Sequence, residues 1–388
     1  MIDLKREQSD FIQIARGIAI FIVAYYHYTT RIPYDVLGSS VAPALPEHIG
    51  KLGVHIFFVI SGFLISKTLD RSQSIAGFYA RRISRLWPLY AFACVFVFLF
   101  VNIFPPPVVL SGPKQFYDVH PTVLDLLSNL VFLNDTTVSV DGAYWSVVVE
   151  VKFYFWLAVF AALFRRDFVR VFAWTAIALS AIDFAITGFA PDAMQAAGPL
   201  HVLSRALHGV FLSQYLPFFA LGAVLQRGER YQFLAPLAML AAFSAIAVVA
   251  EDHEFVAMQD MRFLLILGLL LAADRLLLAG RVFIWIGDYS YALYLFHQMI
   301  GLTVMKMLTP YIGIDPAIGG AIVVVTLIAF ASSKALEWRF RKQFTGAFEW
   351  LFGLIGLDRI RLDTSDRIPE EPSGEASEAT APAGLKRV

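Results

Sequence analysis

Arg16 and His27 stand eleven residues apart in the first apolar stretch of the chain. Eleven residues turn an α-helix by about 1100°, back to within ~20° of the starting face, and rise about 16 Å. One helix face therefore carries a guanidinium near one end and an imidazole near the other. A guanidinium suits phosphate or another anion. A neutral imidazole is the usual general base near pH 7. The pair fits an elongated substrate with its anionic part at the Arg16 end and its reactive part at the His27 end.

Other ionisable side chains fall inside apolar stretches: His55, Glu150, Lys152, Asp183, His208, Asp288 and His297. Such groups cost free energy in lipid and mark protein interiors or water-filled cavities. Any one of them could instead be an interhelical hydrogen-bond partner or a side chain that snorkels to the surface. Glu150, His55 and His297 are expected at the depth of His27. A carboxylate beside a histidine can orient the ring and stabilise its protonated form. At the opposite face, Arg81, Arg82 and Arg85 precede Leu86-Trp87-Pro88. Arg81 and Arg85 are expected to share a helix face. The block reads either as a cationic membrane anchor with an interfacial Trp or as a clamp for phosphates.

The elements that must position these groups follow from composition. The 388 residues are 58% hydrophobic and 16% charged, and mean hydropathy is +0.65. Soluble domains are roughly 45–50% apolar and about 25% charged. A soluble enzyme, a disordered chain and a disulfide scaffold are therefore excluded. Lys+Arg and Asp+Glu each total 31, which gives no pull toward a polyanion such as nucleic acid. The single cysteine, Cys94, excludes an internal disulfide. No Gly-rich phosphate loop or metal-ligand pattern is found, and no metal is indicated.

A membrane helix needs about 20 apolar residues. About ten stretches qualify: 11–30, 48–68, 87–104, 144–164, 168–188, 203–226, 232–250, 261–279, 282–308 and 312–336. The expected fold class is an all-α polytopic membrane protein. Sorting its charges by side puts Lys5, Arg6, Arg71, Arg81, Arg82, Arg85, Arg165, Arg166, Arg170 and Lys342 on one face. The other carries fewer cations, Arg31, Lys51, Lys114, Arg205, Arg262 and Lys306, together with Asp118, Asp125, Asp135, Asp141, Glu251 and Glu254. The positive-inside rule then places both termini in the cytoplasm. The first stretch lacks a small-residue cleavage site and reads as a retained helix. A surface helix is expected within 115–135, where Leu124, Leu127, Leu130 and Val131 recur at helical spacing. Three units follow: a membrane domain over 1–336, an interfacial amphipathic helix over 337–361, and a disordered tail over 362–388.

Five blocks, in order, resemble the acyltransferase family 3 membrane proteins, which include O-acetylases of cell-surface polysaccharides. They are Arg16 through His27; Gly53-Val54-His55 through Ser61-Gly62-Phe63; Arg85-Leu86-Trp87-Pro88; Trp145-Ser146 through Glu150 to Phe153-Tyr154; and Gly287-Asp288-Tyr289-Ser290-Tyr291 through His297. Trp338 follows Glu337 where the family often has Pro. The resemblance implies transfer of an acyl group, in the first instance acetyl, from cytoplasmic acyl-coenzyme A. The acceptor is a hydroxyl of a cell-surface glycan, a lipid-linked sugar or a small molecule. Acyl-coenzyme A is a cosubstrate, and no permanently bound cofactor is implied. The setting implied is the bilayer of a bacterial inner membrane.

On this reading His27 is the base and Arg16 a donor-site residue. Arg81, Arg82 and Arg85 hold the coenzyme A phosphates, and Glu150 stabilises the His27 imidazolium. Ser61, Ser146, Tyr144 and Tyr291 are candidate donors to the oxyanion or the sugar, with His55, Trp145 and His297 as further candidates. An acyl-enzyme on His27 or Ser61 stays open. Two rival readings remain. One is a proton-coupled transporter or flippase, which would suit buried Arg, Glu and His. The other is a glycerolipid-type acyltransferase, suggested by the spacing of His120 and Asp125.

Overall fold

A computed structural model describes residues 4–29, 47–106, 120–134, 137–189, 198–227, 280–337 and 341–362. The expected spans at 232–250 and 261–279 and the tail after 362 lie outside the described residues. Twelve α-helices are described: α1 Leu4–Thr29, α2 Glu47–Asp70, α3 Ile75–Ile103, α4 Val123–Leu130, α5 Trp145–Phe164, α6 Phe168–Phe189, α7 Pro199–Gly209, α8 Leu216–Arg227, α9 Arg281–Asp288, α10 Ser290–Ile312, α11 Ile314–Ser332 and α12 Arg341–Leu354. Among the described residues the one strand-like pairing is a bridge between Ser74 and Arg361.

Among the described residues five helical stretches are long and apolar enough to cross a membrane: Asp10–Thr29, Leu52–Asp70, Ile75–Ile103, Gly142–Asp183 and Ile314–Leu336. The fourth holds two helices, α5 and α6, joined by a short turn at 165–167. The all-α expectation therefore holds, and the chain is a multi-pass membrane protein.

Three expected stretches differ from what forms. Hydropathy puts the third at 87–104, but α3 begins at Ile75, where the Ser74 hydroxyl caps it by accepting from the Gly77 amide. Hydropathy misses this first part because Arg81, Arg82 and Arg85 lie within it. The expected span at 203–226 is two helices, α7 and α8, with Leu212 at φ 57° in the gap. Side chains from neighbouring helices hold this gap. Lys152 Nζ donates to the Gly209 carbonyl at 2.9 Å, and Trp156 Nε1 to the Val210 carbonyl at 2.8 Å. The Ser213 hydroxyl donates to Asp183 at 2.6 Å, and His208 Nε2 lies 2.7 Å from the same carboxylate. Non-helical backbone at membrane depth survives only with such partners. Lys152, Asp183 and His208 thus act as struts here. The expected span at 282–308 also breaks, at Tyr289, into α9 and α10.

Among the described residues three helix pairs meet backbone to backbone, one of them α1 and α2, where a Cβ on Gly53 would run into the Ala19 carbonyl. A Cβ on Gly62 would run into Phe219, and one on Gly222 into Val59, so α2 and α8 touch through these glycines. Gly17 and Gly287 do the same for α1 and α9. Small residues allow this close approach, which is how apolar helices gain packing without a solvent driving force.

α4 is the surface helix expected within 115–135, with Leu124 and Leu127 exposed. A Thr122–Asp125 capping box starts it. Trp87 Nε1 donates to the Leu130 carbonyl at 3.0 Å and Tyr90 to the Asn129 carbonyl at 3.1 Å, so the segment docks on the middle of α3. The amphipathic α12 runs antiparallel to the first half of α3. Phe352 meets Tyr79, Phe348 meets Trp87, and the Thr345 and Ser84 hydroxyls lie 2.8 Å apart.

Candidate active site

One cavity opens between α1, α2, α3, α5 and α10, about 730 Å³ including its mouth. Arg16, Ser61, Arg82, Arg85, Ser146, Glu150 and Tyr291 all line it. Seven of the residues singled out in the sequence, from five helices, therefore converge. On α3 the two arginines at the cavity are Arg82 and Arg85, three residues apart and so on one face. Arg81 turns the other way and donates to the Ser72 hydroxyl at 2.6 Å. The expected shared face of Arg81 and Arg85 is thus replaced by one of Arg82 and Arg85.

Glu150 is the centre of a polar cluster in the cavity wall. Its Oε1 accepts from Tyr154 at 2.6 Å and from Ser61 at 3.0 Å, and lies 3.5 Å from Arg82 Nη2. Arg82 also donates to Tyr154 at 3.1 Å, with its guanidinium 5.0 Å from that ring's centre. The Arg82 side chain is 7% exposed and Glu150 20%. A pair this sheltered needs its extra hydrogen bonds to offset desolvation. The expected partner of Glu150 is the His27 imidazolium, but here it neutralises Arg82. The cavity's remaining lining cations are Arg16 and Arg85.

His27 meets His297 instead. Their rings are 4.9 Å apart at 73°, with His297 Nε2 3.3 Å from His27 Nδ1. Each Nδ1 also faces a carbonyl: His27 that of Val23 at 2.8 Å, His297 that of Tyr294 at 2.7 Å. A carbonyl can only accept, so each neutral ring carries its proton on Nδ1. The lone pair of His27 is then on Nε2, where a general base needs it. Tyr28 fixes the register of the two helices by donating to the His297 carbonyl at 2.7 Å. Tyr294 links the pair to the cavity: it lines the cavity, and its ring centre is 5.3 Å from that of His297. Its hydroxyl donates to the Ala143 carbonyl at 3.0 Å and lies 2.7 Å from the Ser146 hydroxyl.

Some candidates are placed elsewhere. His55 is buried and stacks on Phe218, 4.0 Å between centres. Trp145 packs on Phe58 and Tyr215. Tyr144 is buried and donates to the Leu295 carbonyl at 3.0 Å, while Tyr291, in the cavity wall, donates to that of Leu86 at 3.0 Å. These tyrosines hold α10 in place. Asp125 is committed to the capping box and to the Val138 amide at 3.1 Å, which leaves the His120–Asp125 spacing without catalytic form. The Thr122 hydroxyl holds the Asp125 carboxyl below its ordinary value.

Three residues of the site escape the sequence reading. Tyr154 and Glu150 are four apart, a spacing that puts both on one helix face, and that signal was available. Tyr294 stands within the last of the five blocks without a role. Asp141 reads from sequence only as an outer charge. It is fully buried, with Oδ1 accepting from the Ala143 amide at 2.8 Å and Oδ2 from the Met299 amide at 3.1 Å. Burial pushes its carboxyl up to about 7, against the opposing pull of those two amides.

A bundle of membrane-length helices that sinks basic groups, hydroxyls and a histidine pair into its interior has the build of a membrane-embedded enzyme. Comparison with known proteins supplies the chemistry. The family model described as Acyltransferase domain, of the acyltransferase 3 type, matches residues 9–333, and the chain belongs to that family. It is 26% identical over 268 residues to the acyltransferase MdmB of Streptomyces mycarofaciens, covering 65% of this chain and 68% of that protein. It is 25% identical over 302 residues to the exopolysaccharide production protein ExoZ of Rhizobium meliloti, covering 74% and 89%. It is 25% identical over 366 residues to the peptidoglycan O-acetyltransferase OatA of Listeria monocytogenes, covering 84% of this chain but 55% of that protein. No solved structure matches the chain. The family speaks for acyl transfer and gives the carrier alternative no support.

Proposed function

We propose that the protein is a membrane O-acetyltransferase that moves acetyl from cytoplasmic acetyl-coenzyme A to a hydroxyl of a cell-surface glycan or lipid-linked sugar. The observation that carries this is one cavity lined by Arg16, Arg85 and Tyr294; neither histidine lines it, but His297 packs on Tyr294 and His27 packs on His297. Arg85 and Arg16 bind the anionic and polar parts of the donor, and Arg81 is engaged by the Ser72 hydroxyl. The thioester arm extends along the cavity. His27 Nε2 takes the acceptor's hydroxyl proton as its oxygen attacks the thioester carbon. The C–S bond breaks, the thiolate leaves, and the proton follows it to give free coenzyme A. Ser61 and Ser146 line the cavity, and each would have to leave its present acceptor, Glu150 or Tyr294, to donate to the developing oxyanion.

The named activities of OatA and ExoZ support a polysaccharide acceptor. Charge sorting supports ten spans with both termini in the cytoplasm, and hence a cytoplasmic donor at the arginine end in a bacterial inner membrane. The test is to incubate membranes containing the protein with radiolabelled acetyl-coenzyme A. The label is then fractionated into glycan, lipid, small molecule and protein. Label in glycan or lipid-linked sugar, absent from membranes lacking the protein, supports the reading. Equal label in both preparations contradicts it.

A further inference from the structure

Glu150 is engaged by Arg82, Tyr154 and Ser61. The role of orienting the base therefore passes to another group, and the histidine pair shows which. The carbonyl of Tyr294 fixes the His297 proton on Nδ1 and so leaves its Nε2 as an acceptor. That acceptor faces His27 Nδ1 at 3.3 Å. The Val23 carbonyl fixes the proton of His27 on Nδ1, pointing toward the same region. We infer that His297 is the positioning residue of the reaction: an uncharged acceptor that holds the His27 ring and stabilises its imidazolium. This rests on the reading of His27 as the base.

The step balances without a further reactant. The acceptor's O–H proton moves to His27 Nε2 as the new C–O bond forms. The ring becomes an imidazolium whose Nδ1–H is shared between the Val23 carbonyl and His297 Nε2. When the C–S bond breaks, the Nε2 proton leaves with the thiolate and His27 returns to its starting tautomer. His297 carries no proton away. It plays the part a carboxylate plays in other base–orienter pairs, and does so without placing a second charge in the interior. Further contacts hold the α10 backbone that carries it. Tyr28 and Tyr144 bind the carbonyls of residues 297 and 295, and Asp141 binds the Met299 amide. His297 itself is buried, at 1% exposure.

The test uses the full chain in inverted vesicles carrying the cell's own envelope glycans, with radiolabelled acetyl-coenzyme A as donor. Rates are normalised to folded protein recovered by size exclusion in detergent. Gln at position 297 keeps an acceptor near the place of the imidazole Nε2 but cannot titrate. Leu and Phe remove the acceptor. Loss of an orienting partner should lower kcat at least about tenfold in His297→Leu and His297→Phe, with KM for acetyl-coenzyme A unchanged. His297→Gln should recover most of the rate. Equal loss in the Gln, Leu and Phe variants, or a loss carried in KM, would overturn the role. Unchanged kcat in the Leu variant would do the same. His27→Ala separates the two readings. If it stays active, the base assignment itself fails; if it is inactive while His297→Leu is normal, only the role of His297 fails.

Discussion

At the scale of single residues, the decisive feature is who partners whom. Arg82 is held by Glu150 and Tyr154 in the cavity wall, so its removal strands a carboxylate. Arg82→Ala should cost about 3–5 kcal/mol, the usual range for breaking one side of a sheltered pair. The double variant Arg82→Met with Glu150→Gln should regain most of that stability. Thermal unfolding in detergent checks both. Arg85→Ala should raise KM for the donor, which steady-state kinetics reads directly. The sequence showed that Arg16, Arg82, Arg85, Ser61, Ser146, Glu150 and Tyr291 were worth watching, because ionisable and hydroxyl groups in apolar stretches need a reason to be there. It could not show that Glu150 serves Arg82 and not His27. Depth along a helix is readable from residue count, but rotation toward one neighbour or another is set by packing between helices.

At the scale of elements, two features hold the site together. The α2–α8 crossing depends on Gly62 and Gly222. Gly62→Ala should cost about 1–3 kcal/mol, since its Cβ would meet the Phe219 backbone and the helices must separate. The loss should appear as reduced folded yield. The second feature is Asp141, which ties the start of α5 to the middle of α10. Its carboxyl is raised from 3.8 to about 7, so the folded state binds the proton more tightly than the unfolded one. Its stabilising contribution is whole below about pH 3.8 and is lost as pH rises through about 7. The melting temperature should therefore carry a component that falls across this interval. Asp141→Asn should abolish that component and cost about 1–3 kcal/mol, because one of the two amides loses its acceptor. The helix breaks at 210–215 and at Tyr289 were not legible in the sequence. Hydropathy averages over a window, and the first break is stabilised by side chains of a helix remote in sequence but adjacent in space, Lys152 and Trp156. The early start of α3 was hidden for the opposite reason, since arginines that the fold shelters look like a flank.

At the scale of the whole molecule, the balanced count of 31 basic and 31 acidic residues is informative only once it is sorted by side. Cys94, the single cysteine, is buried, which makes topology accessible to thiol labelling on a Cys94→Ala background. Arg166→Cys, in the turn between α5 and α6, should react only from the cytoplasmic side. His120→Cys, before α4, should react only from the outside. The reverse pattern would invert the assignment of both termini. The all-α membrane class was legible throughout from hydropathy, and the family from five short blocks. The acceptor was not, because sugar recognition depends on side chains brought together from several loops.

In the proposed reaction a donor bound from the cytoplasmic face is used by His27 deeper in the bilayer. Radiolabelled acetyl-coenzyme A supplied to sealed inside-out and right-side-out vesicles tests both halves at once. Glycan labelling should occur in inside-out vesicles carrying the intact protein, should be absent from right-side-out vesicles, and should be lost in His27→Ala with folded protein retained. Labelling of right-side-out vesicles, or an active His27→Ala protein, would contradict it.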